Sequence, residues 1–169
     1  VTSIDLGIST VEVLIHTDGV VLHHSQSFRL DWKDIEEISS NENACYYVED
    51  NAPATILGFS EMLGRVYSLM PTEGAPVMVM AGFPMHRFKD IAPLDAALAM
   101  IEAIKPIHGE ILDTATGLGY TAIEASKRAS RVTTIELCPV ALEMARMNPW
   151  SHGLFDNPRI SQMMGDSVE

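Results

Sequence analysis

A chain of 169 residues, 47% hydrophobic and 20% charged, has the composition of a globular protein and the length for one domain or two small ones. Its formal net charge of -12 argues against a free-standing nucleic-acid binder, which needs a basic face to meet phosphates, although RNA stays open as a substrate if another part supplies the charge. The distant cysteines Cys45 and Cys138 form no disulfide framework or metal pair and suit a reducing cytoplasm. No basic-then-apolar signal opens the chain, and the apolar run 75–85, broken by Gly82 and Pro84, is too short to span a bilayer, so no membrane is expected.

Residues 1–85 read as an antiparallel, β-rich domain, a small barrel or sandwich. Apolar, β-branched runs at 10–16 and 20–27 flank Thr17-Asp18-Gly19, a strong hairpin signal because both turn residues tolerate positive φ. Asp31 reads as the N-cap of a short helix, with Asp34 as a faint capping box. A polar loop at 39–43 follows. Further strands are expected at 44–48, 54–59, 64–69 and 77–81, with turns at 51–53 and 71–74. His23 and His24 invite a metal reading, but adjacent strand residues point to opposite faces and cannot share one ion. The segment 85–90 reads as a solvated hinge; the other reading makes His86, Arg87 and Lys89 a polar rim over a substrate pocket.

Pro93 suits the first turn of a helix running to 105, with Leu94, Ala97, Leu98, Ile101 and Ile104 as its apolar stripe. Residues 110–113 make a short strand ending on Asp113, 114–119 a glycine-bearing turn, 120–129 a helix, and 131–137 a second strand bearing Glu136. Strand, turn, helix and strand make a βαβ unit with a right-handed crossover. Ligands in such sheets gather at the carboxyl ends of the strands, where Asp113, Gly117, Gly119 and Glu136 meet. Pro139 opens a helix at 140–147, and Asn148-Pro149-Trp150 stops it with a packed Trp. Residues 159–164 are a third strand with Gly165-Asp166-Ser167 at its tip, and Met163 and Met164 are expected to fill core gaps.

Gly117-Leu-Gly119-Tyr-Thr-Ala122 formally fits the dinucleotide fingerprint, with Glu136 near the ribose distance. Asp113, however, would stand beside the pyrophosphate that the helix amides hold in that fingerprint. A carboxylate there suits a ligand with a cationic amine. S-adenosylmethionine has both an amine and a sulfonium, so it is preferred to NAD; a βαβ unit that binds nothing is the remaining reading.

Asp113-x-x-x-Gly117-x-Gly119 resembles motif I of class I S-adenosylmethionine-dependent methyltransferases, and Glu136 resembles their second acidic position. LDTATGLGYTAIEA, Asn148-Pro149-Trp150 and His86-Arg87-Phe88-Lys89-Asp90 resemble the predicted archaeal methyltransferases related to spermidine synthases, over residues 85–169. The resemblance implies a Rossmann-like α/β domain over 86–169 that binds S-adenosylmethionine. Asp113 would take the amine. Tyr120 and Thr121 would meet the carboxylate, Glu136 the ribose and Asp166 the adenine amino group. Leu137, with Cys138, would pack on the adenine. Ala115 stands where many of these enzymes have the first glycine, which implies a slightly tighter pocket.

Such enzymes have a longer sheet than these strands supply, so this reading expects the N-terminal half of that sheet: a fragment lacking the acceptor half, or a chain completed by another. The acceptor and the catalytic base are unknown, and the β-rich domain or a bare, apolar sheet edge could support a homo-oligomer. Aminopropyl transfer, from the likeness to spermidine synthases, and a non-catalytic nucleotide-binding scaffold are the alternatives.

Overall fold

The computed structural model describes residues 2–23 and 27–168, a mixed α/β arrangement with several sheets. β1 (Val13–His16), β2 (Gly19–His23) and β3 (Ser27–Asp31) form an antiparallel sheet, with the Asp-Gly turn where the alternation places it. Gly19 is required there. Its Cβ would lie 2.2 Å from the Leu30 carbonyl oxygen, and its φ is +152°. Val20, Leu22 and Leu30 make a small core under this sheet.

The capping box at Asp31 is complete and starts α1 (Trp32–Ser40): Asp34 N–H donates to Asp31 at 2.8 Å, and Asp31 N–H donates to Asp34 at 3.1 Å. Of the histidine pair, His24 lies outside the described residues, and His23 Nδ1 hydrogen-bonds Ser27 Oγ at 2.8 Å. Among the described residues no cluster of His, Cys, Asp and Glu could hold a metal ion.

β4 (Tyr46–Glu49) and β5 (Ala52–Thr55) pair through Asp50 and Asn51, both at positive φ. The expected turn at 51–53 thus falls earlier, and Pro53 stands inside a two-stranded ribbon whose edge needs no donor. The strand expected at 54–59 breaks at Ile56. Its N–H donates to Cys45 O and its carbonyl accepts from Leu69 N–H, which carries the chain from β5 into β6 (Leu57–Ser60).

β6, β7 (Arg65–Met70), β8 (Val77–Met80) and β9 (Phe83–Pro84) form a second antiparallel sheet in that order. In place of one barrel or sandwich, the front strands are short and divide among three separately paired sheets.

The rear of the chain alternates helices and strands. α2 (Pro93–Ala103) precedes β10 (Glu110–Asp113), α3 (Tyr120–Ser126), β11 (Arg131–Glu136), α4 (Pro139–Arg146), a 3-10 turn (Pro149–Ser151), α5 (His152–Asp156) and β12 (Ile160–Met164). β10, β11 and β12 lie parallel and adjacent in chain order, with Asp113 opposite Thr134 and Glu136 opposite Met164. Among the described residues β10 has a partner on one edge only, and Leu112 is exposed.

Three expectations change here. α3 ends at Ser126 rather than at 129. Ile104 lies beyond α2 and is exposed rather than on its buried stripe. Met163 and Met164 are 54% and 50% exposed rather than gap-filling; among the described residues β12 pairs with β11 only.

One core joins front and rear. Cys45, Ile56, Tyr67, Leu69 and Met78 pack in the same cluster as Leu118, Tyr120, Val132, Ala141, Met144 and Leu154. β6 lies so close to α4 that a Cβ on Gly58 would come 2.8 Å from Val140 Cγ1. No helix of the described residues is long and apolar enough to cross a membrane.

Candidate functional site

The tips of β10 and β11 open into a cleft of about 650 Å³, within the range of small-molecule sites. Of the residues singled out from sequence, Asp113, Ala115, Gly117, Tyr120, Thr121 and Glu136 line it. The turn between β10 and α3 bends through two left-handed glycines, Gly117 (φ +51°) and Gly119 (φ +77°). They do different work. A Cβ on Gly117 would face Met78 and His86 across the cleft at 3.8 and 4.0 Å, so this backbone is bare toward the cavity. A Cβ on Gly119 would strike Leu154 at 2.8 Å, so this glycine serves helix packing instead.

Asp113 Oδ2 accepts from Thr134 Oγ1 at 2.9 Å and from Thr121 Oγ1 at 3.3 Å. Thr134 and Thr116 hydroxyl oxygens lie 2.7 Å apart and both side chains are buried. Since the single Thr134 proton goes to the carboxylate, Thr116 is the donor in that second bond. Burial pushes the Asp113 carboxyl above its usual range; the Thr134, Ala115 and Thr121 hydrogen bonds oppose that shift, and the Glu136 charge adds to it. Among the described residues no cation pairs with Asp113. It is a desolvated, oriented carboxylate facing open space.

Glu136 is held by the turn itself. Its Oε2 accepts from Gly117 N–H and its Oε1 from Cys138 N–H, both at 2.9 Å. Each oxygen keeps a lone pair for a hydroxyl donor. The turn, the two carboxylates and the threonines thus form one hydrogen-bonded unit.

Three expected residues lie away from the cleft lining: Gly119, Leu137 and Asp166. Leu137 is 45% exposed. Asp166 is exposed beyond β12 and accepts from Val168 N–H at 3.0 Å. Cys138, expected beside Leu137 on an adenine face, is instead turned into the core with its thiol against Ser60 and Tyr67. It is the N-cap of α4, whose buried face, Val140, Ala141, Met144 and Ala145, packs on the same core.

Two hydroxyls expected to meet a ligand carboxylate are already committed. Tyr120 OH donates to Pro76 O at 2.8 Å and accepts from Asn148 Nδ2 at 2.8 Å, so Tyr120 offers the cleft ring surface only. Thr121 donates to Asp113. Asn148 is fully buried and also donates to Ser151 Oγ at 2.7 Å. The Asn-Pro-Trp segment is therefore a packed corner: Trp150 Nε1 donates to Leu6 O at 2.9 Å, and the chain continues into α5.

Sequence reasoning gave too little weight to His86. It lies in the segment read as a solvated hinge, yet the ring is tucked against Tyr120 with centroids 5.2 Å apart. Its Nδ1 accepts from Met78 N–H at 3.3 Å, and burial pulls its pKa down to about 4. Arg87 also lines the cleft, whereas Lys89 does not. The pull comes from β9, a two-residue strand too short to register as periodicity, which pairs with β8 and returns the chain to the cavity. Met78, Met80, Met85 and Met100 add a soft apolar wall.

No protein-family model matches the chain. An uncharacterized protein of Methanocaldococcus jannaschii is 37% identical over 136 residues, which cover 80% of this chain and 46% of that protein, so the chain spans about half the length of this curated relative. A spermidine synthase from Thermotoga maritima overlaps 73% of this chain and 47% of its own at a TM-score of 0.47 and 19% identity. A tRNA m1G37 methyltransferase of M. jannaschii overlaps 96% and 49% at 0.36 and 18%. Spermidine synthases and methyltransferases are both among the solved structures similar to this chain. At these scores the overlaps are partial.

Proposed function

We propose that this chain binds S-adenosylmethionine and serves a methyltransferase with an acceptor still to be identified. The observation that carries the reading is Asp113: an oriented, desolvated carboxylate at a strand tip, facing a cleft, without a cation among the described residues. A ligand amine would relieve that charge, whereas a pyrophosphate at the same tip would aggravate it. The donor set fits in other respects. Glu136 has lone pairs free for ribose hydroxyls, and Gly117 leaves backbone bare.

When bound, the cofactor supplies a methyl group on a positive sulfonium. The protein's share is placement: Asp113 orients the amino-acid tail, Glu136 the ribose, and the methionine wall excludes water. We assign the nucleotide site to 86–169 and a cleft-closing role to the β-rich front, 1–85, through Met78 and Met80. The free, buried thiols Cys45 and Cys138 suit a reducing cytoplasm.

Titration calorimetry on the purified protein tests the reading. Binding of S-adenosylhomocysteine supports methyl transfer, and preference for methylthioadenosine supports aminopropyl transfer instead. Silence with both leaves a scaffold, and binding of NAD overturns the assignment of Asp113.

A further inference from the structure

We propose that His86 and Arg87 form a carboxylate subsite in the cleft that Asp113 also lines, so that the cleft reads both charged groups of an α-amino-acid tail; this rests on the reading above. The two hydroxyls expected to meet a ligand carboxylate cannot serve, because Thr121 donates to Asp113 and Tyr120 to Pro76 O. Thr114 also lines the cleft, but its neutral hydroxyl brings no charge to match a carboxylate. His86 is a donor by geometry. Its Nδ1 accepts the Met78 N–H, so the ring proton sits on Nε2. That nitrogen lies 4.0 Å from the point where a Gly117 Cβ would be, across the bare face of the turn. In this tautomer Nε2 cannot take a proton, which excludes His86 as a general base at that atom and leaves it a neutral, fixed hydrogen-bond donor.

Arg87 follows directly, lines the same cleft and makes no ion pair among the described residues. Its guanidinium supplies the charge that His86 lacks. A cationic donor pair at 86–87 and the anionic Asp113 would together favour a zwitterionic tail over an amine alone. The cleft would then discriminate S-adenosylmethionine from its decarboxylated form, and so methyl transfer from aminopropyl transfer.

The test compares S-adenosylhomocysteine with S-adenosyl-3-thiopropylamine, which keeps the amine and lacks the carboxylate, in calorimetry on the wild-type protein and on Arg87→Gln, Arg87→Lys and His86→Phe. The wild type is expected to prefer the carboxylate ligand by about tenfold or more, the scale of a charged hydrogen bond. Arg87→Gln should collapse that ratio, Arg87→Lys should restore part of it, and His86→Phe should reduce it with the thiopropylamine affinity kept. A wild-type ratio near one overturns the subsite. So does a ratio that survives the substitutions, or a His86→Phe protein that loses both ligands equally. If neither compound binds, nor methylthioadenosine, the nucleoside reading itself falls and the subsite with it.

Discussion

Replacing Asp113 by Asn separates a ligand-seeking carboxylate from a structural one. Asn keeps the shape and one oxygen, so the Thr134 and Thr121 hydroxyls retain an acceptor while the charge is lost. The carboxyl is held above its usual range in the fold, so its ionised form is less stable there than in the unfolded chain. Its charge therefore destabilises the ligand-free protein at neutral pH, and that cost fades as pH falls through the folded value. The ligand-free variant should melt at the same temperature or higher. Affinity for S-adenosylhomocysteine should fall by the worth of a charged hydrogen bond, about 1.5–3 kcal/mol, or roughly ten- to hundredfold. Differential scanning fluorimetry reads both effects. Ligand at a hundred times the wild-type Kd stabilises the wild type by about 2.7 kcal/mol, roughly 5–10 °C at this chain length. With tenfold weaker binding the same concentration gives the variant only about 1.4 kcal/mol. A variant that melts several degrees lower yet keeps its full ligand shift would refute the reasoning, leaving Asp113 a hydrogen-bond hub and no more.

Glu136→Ala removes the ribose acceptor and also frees the Gly117 and Cys138 amides, so S-adenosylhomocysteine and methylthioadenosine should both weaken by about 1.5–3 kcal/mol in calorimetry; unchanged affinity would take Glu136 out of the site. Gly119→Ala should cost about 2–4 kcal/mol in urea unfolding, since a left-handed φ and the packed Leu154 both oppose a Cβ, whereas a neutral result would show that Leu154 can move aside. His86 titrates near 4 in the fold against an ordinary 6.5, so the unfolded chain takes up the proton first; its contribution is whole above pH 6.5 and declines towards about 4, by up to about 3 kcal/mol. Unfolding at pH 7 and pH 5 should show a decline that His86→Phe lessens; an equal decline in both proteins would place the titrating group elsewhere.

The local grammar of the chain was legible without coordinates. The Asp18-Gly19 hairpin, the Asp31 cap, Pro93 and Pro139 at helix starts and the βαβ unit over 110–136 are each set by neighbours in sequence, through turn sterics, missing amide donors and hydrophobic period. So was the convergence of Asp113, Gly117 and Glu136, because parallel strands bring their carboxyl ends to one edge.

What tertiary structure alone decided was which polar groups remained available. Thr121 and Tyr120 spend their hydroxyls on Asp113 and on the distant Pro76, and Cys138 turns toward Ser60 and Tyr67. His86 enters the cleft because two residues of β9 pair with β8. Hydrogen-bond partners tens of residues apart, and a core that joins Ile56 and Leu69 to Ala141 and Met144, leave no periodic trace in the sequence, since they depend on how separately formed elements pack.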